Sequence, residues 1–271
     1  MRWALLAALL WSGVGPLSRV ALAAGIDPLQ VALGRAAVAA ACFVLYLLVR
    51  GGALPPRRDL PALLGFAVLG VALLFAMNQL AVRAGGAALA TILLCTAPVW
   101  VTAAAPLLGG RWHRRPVFAA LLAAVGIAIL AAGGDGQMRP TPAAILWGSG
   151  SGAAYALVSV LGKRLLRHAS PQALFALALP IAAAALVVLG ARPMLPSAHQ
   201  ALPLAALGVL SFFASLAYAR GLRTLPAARA ALLASVEPIG AAVLAHLLFG
   251  ERFGALAWAG ASLVVAGVVL A

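Results

Sequence analysis

The sequence predicts an all-α, polytopic membrane protein of ten transmembrane helices built as two five-helix inverted repeats. Three observations carry that prediction. The 271-residue chain is 65% hydrophobic and only 9% charged, whereas a soluble domain is roughly half apolar and about a quarter charged. Its apolar residues gather into ten continuous runs, each near the ~20 residues that a helix needs to cross ~30 Å of hydrocarbon. The two halves of the chain also repeat one another at a fixed offset. The hydrophobicity excludes a disordered chain. A membrane barrel is excluded because its strands alternate apolar and polar residues over ~10 positions. The formal charge of +14 does not indicate nucleic acid, because the cations are spaced between apolar runs rather than clustered on a soluble face. Eighteen of the 19 basic residues are arginine and alanine dominates, so a single Arg or Ala carries little weight.

Cutting the chain at its charged and Pro/Gly-rich breaks places the spans in order. The first, 3–22, follows Arg2. With Ala21-Leu22-Ala23 behind its apolar core it has the look of a signal peptide and cleavage site, but Trp11 and Arg19 have counterparts in the second half, so it is read as a retained span. The second, 29–49, ends at Arg50, and the third, 61–82, lies between Arg58 and Arg83. The fourth, 86–108, holds Pro98 near its middle. The fifth, 116–133, follows Arg114 and Arg115. The sixth, 143–162, contains Gly148 and Gly152, a small-xxx-small pattern suited to helix packing, and stops at Lys163. The seventh, 172–190, opens after Pro171, and the eighth, 201–219, precedes Arg220. The ninth, 227–249, carries Glu237-Pro238, and the tenth, 254–271, is apolar throughout. The remaining connections are too short for a soluble domain, so function is expected inside the membrane. Cys42 and Cys95 both sit in apolar runs and indicate neither a disulfide framework nor a metal site.

Lys and Arg in short loops set orientation. With the N-terminus inside, thirteen basic residues fall on the cytoplasmic side and four (Arg83, Arg139, Arg192, Arg252) on the outer side, while Arg19 and Arg35 fall within spans. Both termini are therefore expected in the cytoplasm. An offset of 140 aligns residues 83–110 with 223–250 without a gap, with ten identities that include Arg83/Arg223, Pro98/Pro238 and Gly110/Gly250. An offset of 144 places Trp11 over Tyr155 and Arg19 over Lys163. Repeats of 1–135 and 140–271, each with five spans, enter the membrane from opposite sides, as in several alternating-access folds. The charge rule also accounts for Arg111 after Gly110 but Glu251 after Gly250.

The segment Tyr218-Ala219-Arg220-Gly221-Leu222, followed by Pro226-Ala227, Glu237-Pro238, Gly250-Glu251, Gly260 and Gly267, resembles the second EamA repeat of the drug/metabolite transporter superfamily. Trp11 to Arg19, Arg35, Pro98, Gly110 and Gly126 resemble the first repeat. The chain departs from the pattern at Arg19, where Lys is frequent, at Ser12 after Trp11, where Gly is common, and at Arg111, where Glu is expected. The resemblance covers essentially the whole chain. It implies ten helices in the bacterial cytoplasmic (inner) membrane, both ends cytoplasmic, and a central cavity formed mainly by spans 1, 3, 4, 6, 8 and 9.

Glu237 is the most informative residue, since a charge at mid-bilayer costs ~2.5 to 3.5 kcal/mol on insertion scales and so tends to face a cavity or a partner. It is a candidate for a substrate-amine or proton site. The competing reading is a packing carboxylate bonded to the carbonyl freed by Pro238. His246 is a second proton-coupling candidate, although a lone His there also suits packing. Arg19 is a candidate for a substrate carboxylate or for a structural pair with Asp27; Arg35 is read as snorkelling to the headgroups. Trp11, Tyr155, Asn78, Gln79, Thr96, Ser159, Tyr218 and Ser235 complete the candidate substrate-binding set, with Thr91, Cys95 and Ser211 beside them. Pro98 and Pro238 are read as helix kinks, since each removes a backbone hydrogen bond.

These residues suit a secondary transporter that exports small amphipathic metabolites by alternating access, with amino acids or amines favoured over sugars on family grounds. Its partners would be the lipid bilayer, a small-molecule metabolite and a proton as coupling ion, in a monomer or homodimer, with no nucleic acid and no cofactor. An uncoupled facilitator is the nearest alternative. An intramembrane enzyme would need a nucleophile with its base or a metal cluster, and the glycine-rich run near Gly148 lacks the Gly-Lys-Ser/Thr ending of a phosphate loop. A channel would need a ring of like groups.

Overall fold

Three spans open on a capping residue followed by proline. Asp27 accepts a hydrogen bond from the Leu29 N–H at 3.0 Å and Gln30 Oε1 accepts one from the Asp27 N–H at 3.1 Å, so two orphan donors at the helix start are satisfied. Thr141 and Ser170 accept from Ala144 and Ala173 in the same manner, ahead of Pro142 and Pro171. Proline suits this first position because its missing N–H has no helical acceptor there.

The computed structural model describes residues 1–104, 114–132, 141–249 and 254–270, and among these there is no strand. The helices are α1 (Arg2–Trp11), α2 (Val14–Ala23), α3 (Pro28–Arg50), α4 (Leu60–Gly65), α5 (Leu73–Gly85), α6 (Ala87–Leu94), α7 (Ala97–Ala104), α8 (Arg114–Ala132), α9 (Pro142–Leu165), α10 (Pro171–Val188), α11 (Ala198–Thr224), α12 (Ala227–Ala234), α13 (Glu237–Phe249) and α14 (Ala255–Leu270). A π-helical stretch, Phe66–Ala72, joins α4 to α5. Six stretches are long and apolar enough to cross a membrane: Arg2–Ala23, Pro28–Arg50, Arg57–Gly85, Pro142–Leu165, Pro171–Val188 and Ala198–Thr224. Shorter apolar helices, Leu89–Ala103, Val117–Ile129 and Trp258–Gly267, lie in three of the other predicted runs. Gly110, Arg111, Arg139, Gly250, Glu251 and Arg252, on which part of the repeat and charge reading rests, lie outside the described residues.

Small residues set how closely the helices approach. α8 lies along α14, and a Cβ at Gly126 would sit 2.7 Å from the Gly260 carbonyl oxygen, so only glycine fits this seam. Where α9 crosses α6, a Cβ at Gly152 would meet the Leu93 carbonyl oxygen at 2.6 Å, which is the close packing expected of a small-xxx-small face. α3 packs on α10 and α11, and α5 on α9. Leu48, Val49, Val188, Leu202 and Val269 are exposed. That outer surface suits lipid, because apolar side chains lose nothing by facing acyl chains.

The prolines stand at helix breaks: each is the second residue of α7 or α13, after a two-residue interruption at Cys95–Thr96 or Ser235–Val236. There a missing N–H costs little. The hydrogen bonds on either side match at the offset of 140: Thr96 N–H to Leu93 O and Val236 N–H to Leu233 O, then Val99 N–H to Thr96 O and Ile239 N–H to Val236 O. These are i to i−3 bonds, so each chain tightens for a turn before resuming. The first span has an interruption too, at Ser12–Gly13, whereas α9 runs unbroken for 24 residues.

Candidate functional site

The interruptions converge on the interior. The Ser12 hydroxyl lies 2.9 Å from the Ala8 carbonyl oxygen and 3.0 Å from that of Glu237, and its single proton serves one or the other. Gly240 of α13 packs directly on the Ser12 side chain. A tightened turn frees backbone groups, and serine hydroxyls are short enough to satisfy them in a crowded interior.

A cavity opens beside these breaks. It is walled mainly by apolar and aromatic groups, Val14, Val71, Leu74, Phe75, Leu94, Val158 and Phe175 among them, with Trp11, Arg35, Asn78, Thr91, Tyr155, Ser215, Tyr218 and Glu237 supplying polar atoms. Spans 1, 3, 4, 6, 8 and 9 all contribute, and α3 and α10 add Arg35 and Phe175. The π-helical stretch puts one extra residue into the third span just before Leu74, Phe75 and Asn78, re-aiming that wall toward the cavity.

Aromatic packing fixes one side. Trp11 meets Tyr155 edge-on with ring centroids 5.6 Å apart and lies 5.1 Å from Tyr218. The Tyr218 hydroxyl is 2.7 Å from Ser159 Oγ, which itself donates to the Tyr155 carbonyl at 3.0 Å or to Tyr218. The Tyr155 hydroxyl is buried with no hydrogen-bond partner among the described residues. A buried, unsatisfied hydroxyl costs about 1 to 3 kcal/mol, so it is a group that a ligand can reward.

The charged groups differ from the sequence reading. Arg35 does not snorkel. It lies seven residues into α3, roughly 10 Å along the axis, and is only 6% exposed. Its Nε donates to Ser211 Oγ at 2.6 Å, and its guanidinium carbon stands 4.1 Å from the centre of the Phe75 ring. Phe75 and Ser211 together offer a better environment than a long reach to the surface would. Glu237 is 7% exposed and lines the same cavity. Among the described residues no side chain is placed within hydrogen-bond distance of its carboxylate. Nor is Arg35 within the 4.0 Å of an ion pair with it.

The rest of the predicted set divides. Trp11, Asn78, Tyr155, Tyr218 and Glu237 are brought together on the cavity, with Thr91. Arg19 is exposed and is not on the cavity wall; Asp27, offered as its partner, pairs with Arg83 at 3.2 Å. Gln79 is fully buried and donates to Ser18 at 2.9 Å. Thr96 and Ser235 donate to the carbonyls of Leu93 and Ala231, next to the two interruptions. Ser159 supports Tyr218 from behind the wall. The side chain of His246 lies outside the described residues. Sequence reasoning missed Phe75 and Phe175, which look like any other apolar residue in a span, and misplaced Arg35. The signal for Arg35 was its position, two turns inside the apolar run.

Comparison with known proteins agrees with this architecture. A transporter from Escherichia coli described as the uncharacterized inner membrane transporter YedA is 30% identical over 256 residues, covering 90% of this chain and 81% of its own. An uncharacterized transporter from Archaeoglobus fulgidus is 29% identical over 222 residues, covering 80% and 77%. A solved protein crystal structure superposes over 99% of this chain and 94% of its own with a TM-score of 0.79 at 17% identity, a likeness of fold alone. The sequence pattern of the EamA-like transporter family matches twice, at residues 1–132 and 142–271. Two matches in tandem, over a helical chain with several spans apolar enough to cross a membrane, mean that this protein belongs to the EamA-like transporter family.

Proposed function

We propose that the chain is a secondary transporter that exports small amphipathic metabolites across the cytoplasmic membrane by alternating access. Ten spans form two inverted halves, 1–135 and 140–271, with both termini in the cytoplasm, and the cavity is the site exposed to each side in turn. One observation carries the reading. Two helix interruptions 140 residues apart, Cys95–Thr96 and Ser235–Val236, share a hydrogen-bond pattern and flank a cavity that holds a carboxylate without a side-chain partner. Interrupted helices at a mid-membrane site are the device by which transporters present backbone and side-chain groups to a solute and then bend. The printed descriptions of the bacterial and archaeal relatives as transporters support the same class.

In this reading Glu237 contacts a substrate amine and exchanges a proton with it or with water, His246 assists on the same helix, and Trp11, Asn78, Tyr155 and Tyr218 hold the apolar body. Counterflow in proteoliposomes tests the class. Protein loaded with unlabelled solute is expected to draw in labelled solute against its gradient, with saturation. Flux that rises linearly with concentration and shows no counterflow would indicate a pore and remove the carrier reading.

A further inference from the structure

The end of the bundle where the N-terminus lies carries two arginines that no acidic group answers. α1 and α3 each pack along α11 and scarcely touch one another, which leaves a groove between them over α11. Arg220, half-buried near the C-terminal end of α11, spans that groove. Its Nη2 donates to the Tyr46 hydroxyl of α3 at 3.2 Å, and its guanidinium carbon stands 5.0 Å from the centre of the Trp3 ring of α1. No acceptor among the described residues takes its other N–H groups. The guanidinium carbon of Arg2 stands 5.7 Å from the centre of the same ring. The chain has five acidic residues. Of the three that are described, Asp27 pairs with Arg83, Asp59 with His168, and Glu237 lines the cavity.

An apolar stripe leads away from Arg220. Phe213 stands seven residues before it and Val209 four before that, so at the helical period all three share one face of α11. Both apolar side chains are exposed, and Phe213 lies ~10 Å along the axis from Arg220. The repeat supplies an internal control. At the offsets of 144 and 140, Trp3 falls on Trp147, but Arg2 falls on Leu146 and Arg220 on Leu80. The tryptophan recurs, as suits a ring at either membrane interface. The two charges do not recur, so the scaffold itself has no need of them.

We propose that this groove binds an anionic phospholipid, whose phosphate is held by Arg220 with Arg2 adding charge beside it, and whose acyl chain lies along Phe213 and Val209. Guanidinium groups hold phosphate oxygens through short, charge-assisted hydrogen bonds. Trp3 and Tyr46 preset the Arg220 side chain, so little freedom is lost on binding. Basic residues at the membrane surface attract anionic headgroups, whereas a zwitterionic headgroup brings a cation that the two arginines repel. The site is independent of what the cavity carries. Under the orientation proposed above it faces the cytoplasmic leaflet.

Native mass spectrometry of the purified full-length protein in detergent, given dioleoyl phosphatidylglycerol and dioleoyl phosphatidylcholine in equal amounts, reads the preference as the ratio of the two lipids retained. The acyl chains are identical, so the ratio reports the headgroup. Wild-type protein is expected to favour phosphatidylglycerol by about tenfold or more. Arg220→Gln is expected to bring the ratio within about threefold, Arg2→Gln to lower it in part, and Arg220→Lys to keep part of it. Arg57→Gln removes an exposed charge outside the three helices of the groove and is expected to leave the ratio unchanged. These are ratios within one variant, so a general loss of stability does not imitate them.

Equal retention of the two lipids by the wild-type protein overturns the proposal, as does a full preference in Arg220→Gln. An equal loss in Arg57→Gln would also overturn it, by making the attraction a diffuse property of the charged face. If excess inorganic phosphate strips phosphatidylglycerol from the wild-type protein, the groove is a site for free anions and the lipid claim is wrong. Absence of counterflow in proteoliposomes would remove the carrier reading and leave this site standing.

Discussion

α6–α7 and α12–α13 are the same backbone device carrying different chemistry. Both break after eight helical residues, both restart one residue ahead of a proline, and their bridging hydrogen bonds correspond except that the Ser235 N–H also reaches the Leu232 carbonyl. Where the second copy begins its new helix with Glu237, the first begins with Ala97, which is fully buried. The break follows from proline and the i to i−3 bonds, and it tolerates either residue. The charge serves another purpose, because nothing in the break uses the Glu237 side chain. The backbone breaks in both halves, and only the second copy adds a carboxylate to the break.

The comparison breaks most completely at Glu237 itself. Glu237→Gln keeps the shape and removes the charge, and solute exchange in proteoliposomes is expected to fall by about a hundredfold, in line with the loss of a buried charge contact. Exchange at the wild-type rate with unchanged pH dependence would make the carboxylate structural. The converse substitution, Ala97→Glu, asks whether the first copy can accept the charge. Ala97 is not among the residues that line the cavity, and a loss of about 2.5 to 3.5 kcal/mol in folded stability is expected, seen as a lower melting temperature of the purified protein. An unchanged melt would show that the break accommodates a carboxylate anywhere.

Packing predictions are smaller. Gly152→Ala drives a methyl group toward the Leu93 carbonyl beside the first interruption, and about 1 to 3 kcal/mol of destabilisation is expected from overpacking, read by thermal unfolding. The matched region of the second copy, α12 and α13, is not held by that contact. The least effect is expected at the loop between the second and third spans. There Asp59, nearly buried, receives a 2.9 Å hydrogen bond from His168 Nδ1, while Arg58 stands 3.3 Å from Nε2. Arg58 can only donate, so Nε2 accepts and Nδ1 carries the proton. His168→Ala removes this tie in a partly solvated setting, and a cost of about 1 kcal/mol is expected in the same melt.

Much of the fold was legible because length and apolarity are membrane requirements rather than preferences. Six of the expected spans coincide with helices long and apolar enough to cross a membrane and three more with shorter apolar helices, and the offset of 140 pairs Pro98 with Pro238. What the sequence could not supply was direction around the helix axis. Arg35 and Arg19 both lie inside apolar runs, and only packing against Ser211 and Phe75 distinguishes the one that turns inward from the exposed one. Gln79 and Asn78 are adjacent, yet neighbouring helical positions point about 100° apart, so one meets Ser18 and the other the cavity. The interruptions were hidden for a related reason: proline marks a disturbed turn, but whether the chain bends or restarts depends on hydrogen bonds two residues upstream.

The central claim is that one cavity opens to each side of the membrane in turn. Thr91 lines it, and with Cys42 and Cys95 replaced by alanine, Thr91→Cys gives a single thiol on that wall. A membrane-impermeant thiol reagent applied from the cytoplasmic side or from the outer side is expected to label it from both, with labelling from each side suppressed by saturating substrate. Labelling confined to one side under every condition would contradict the account.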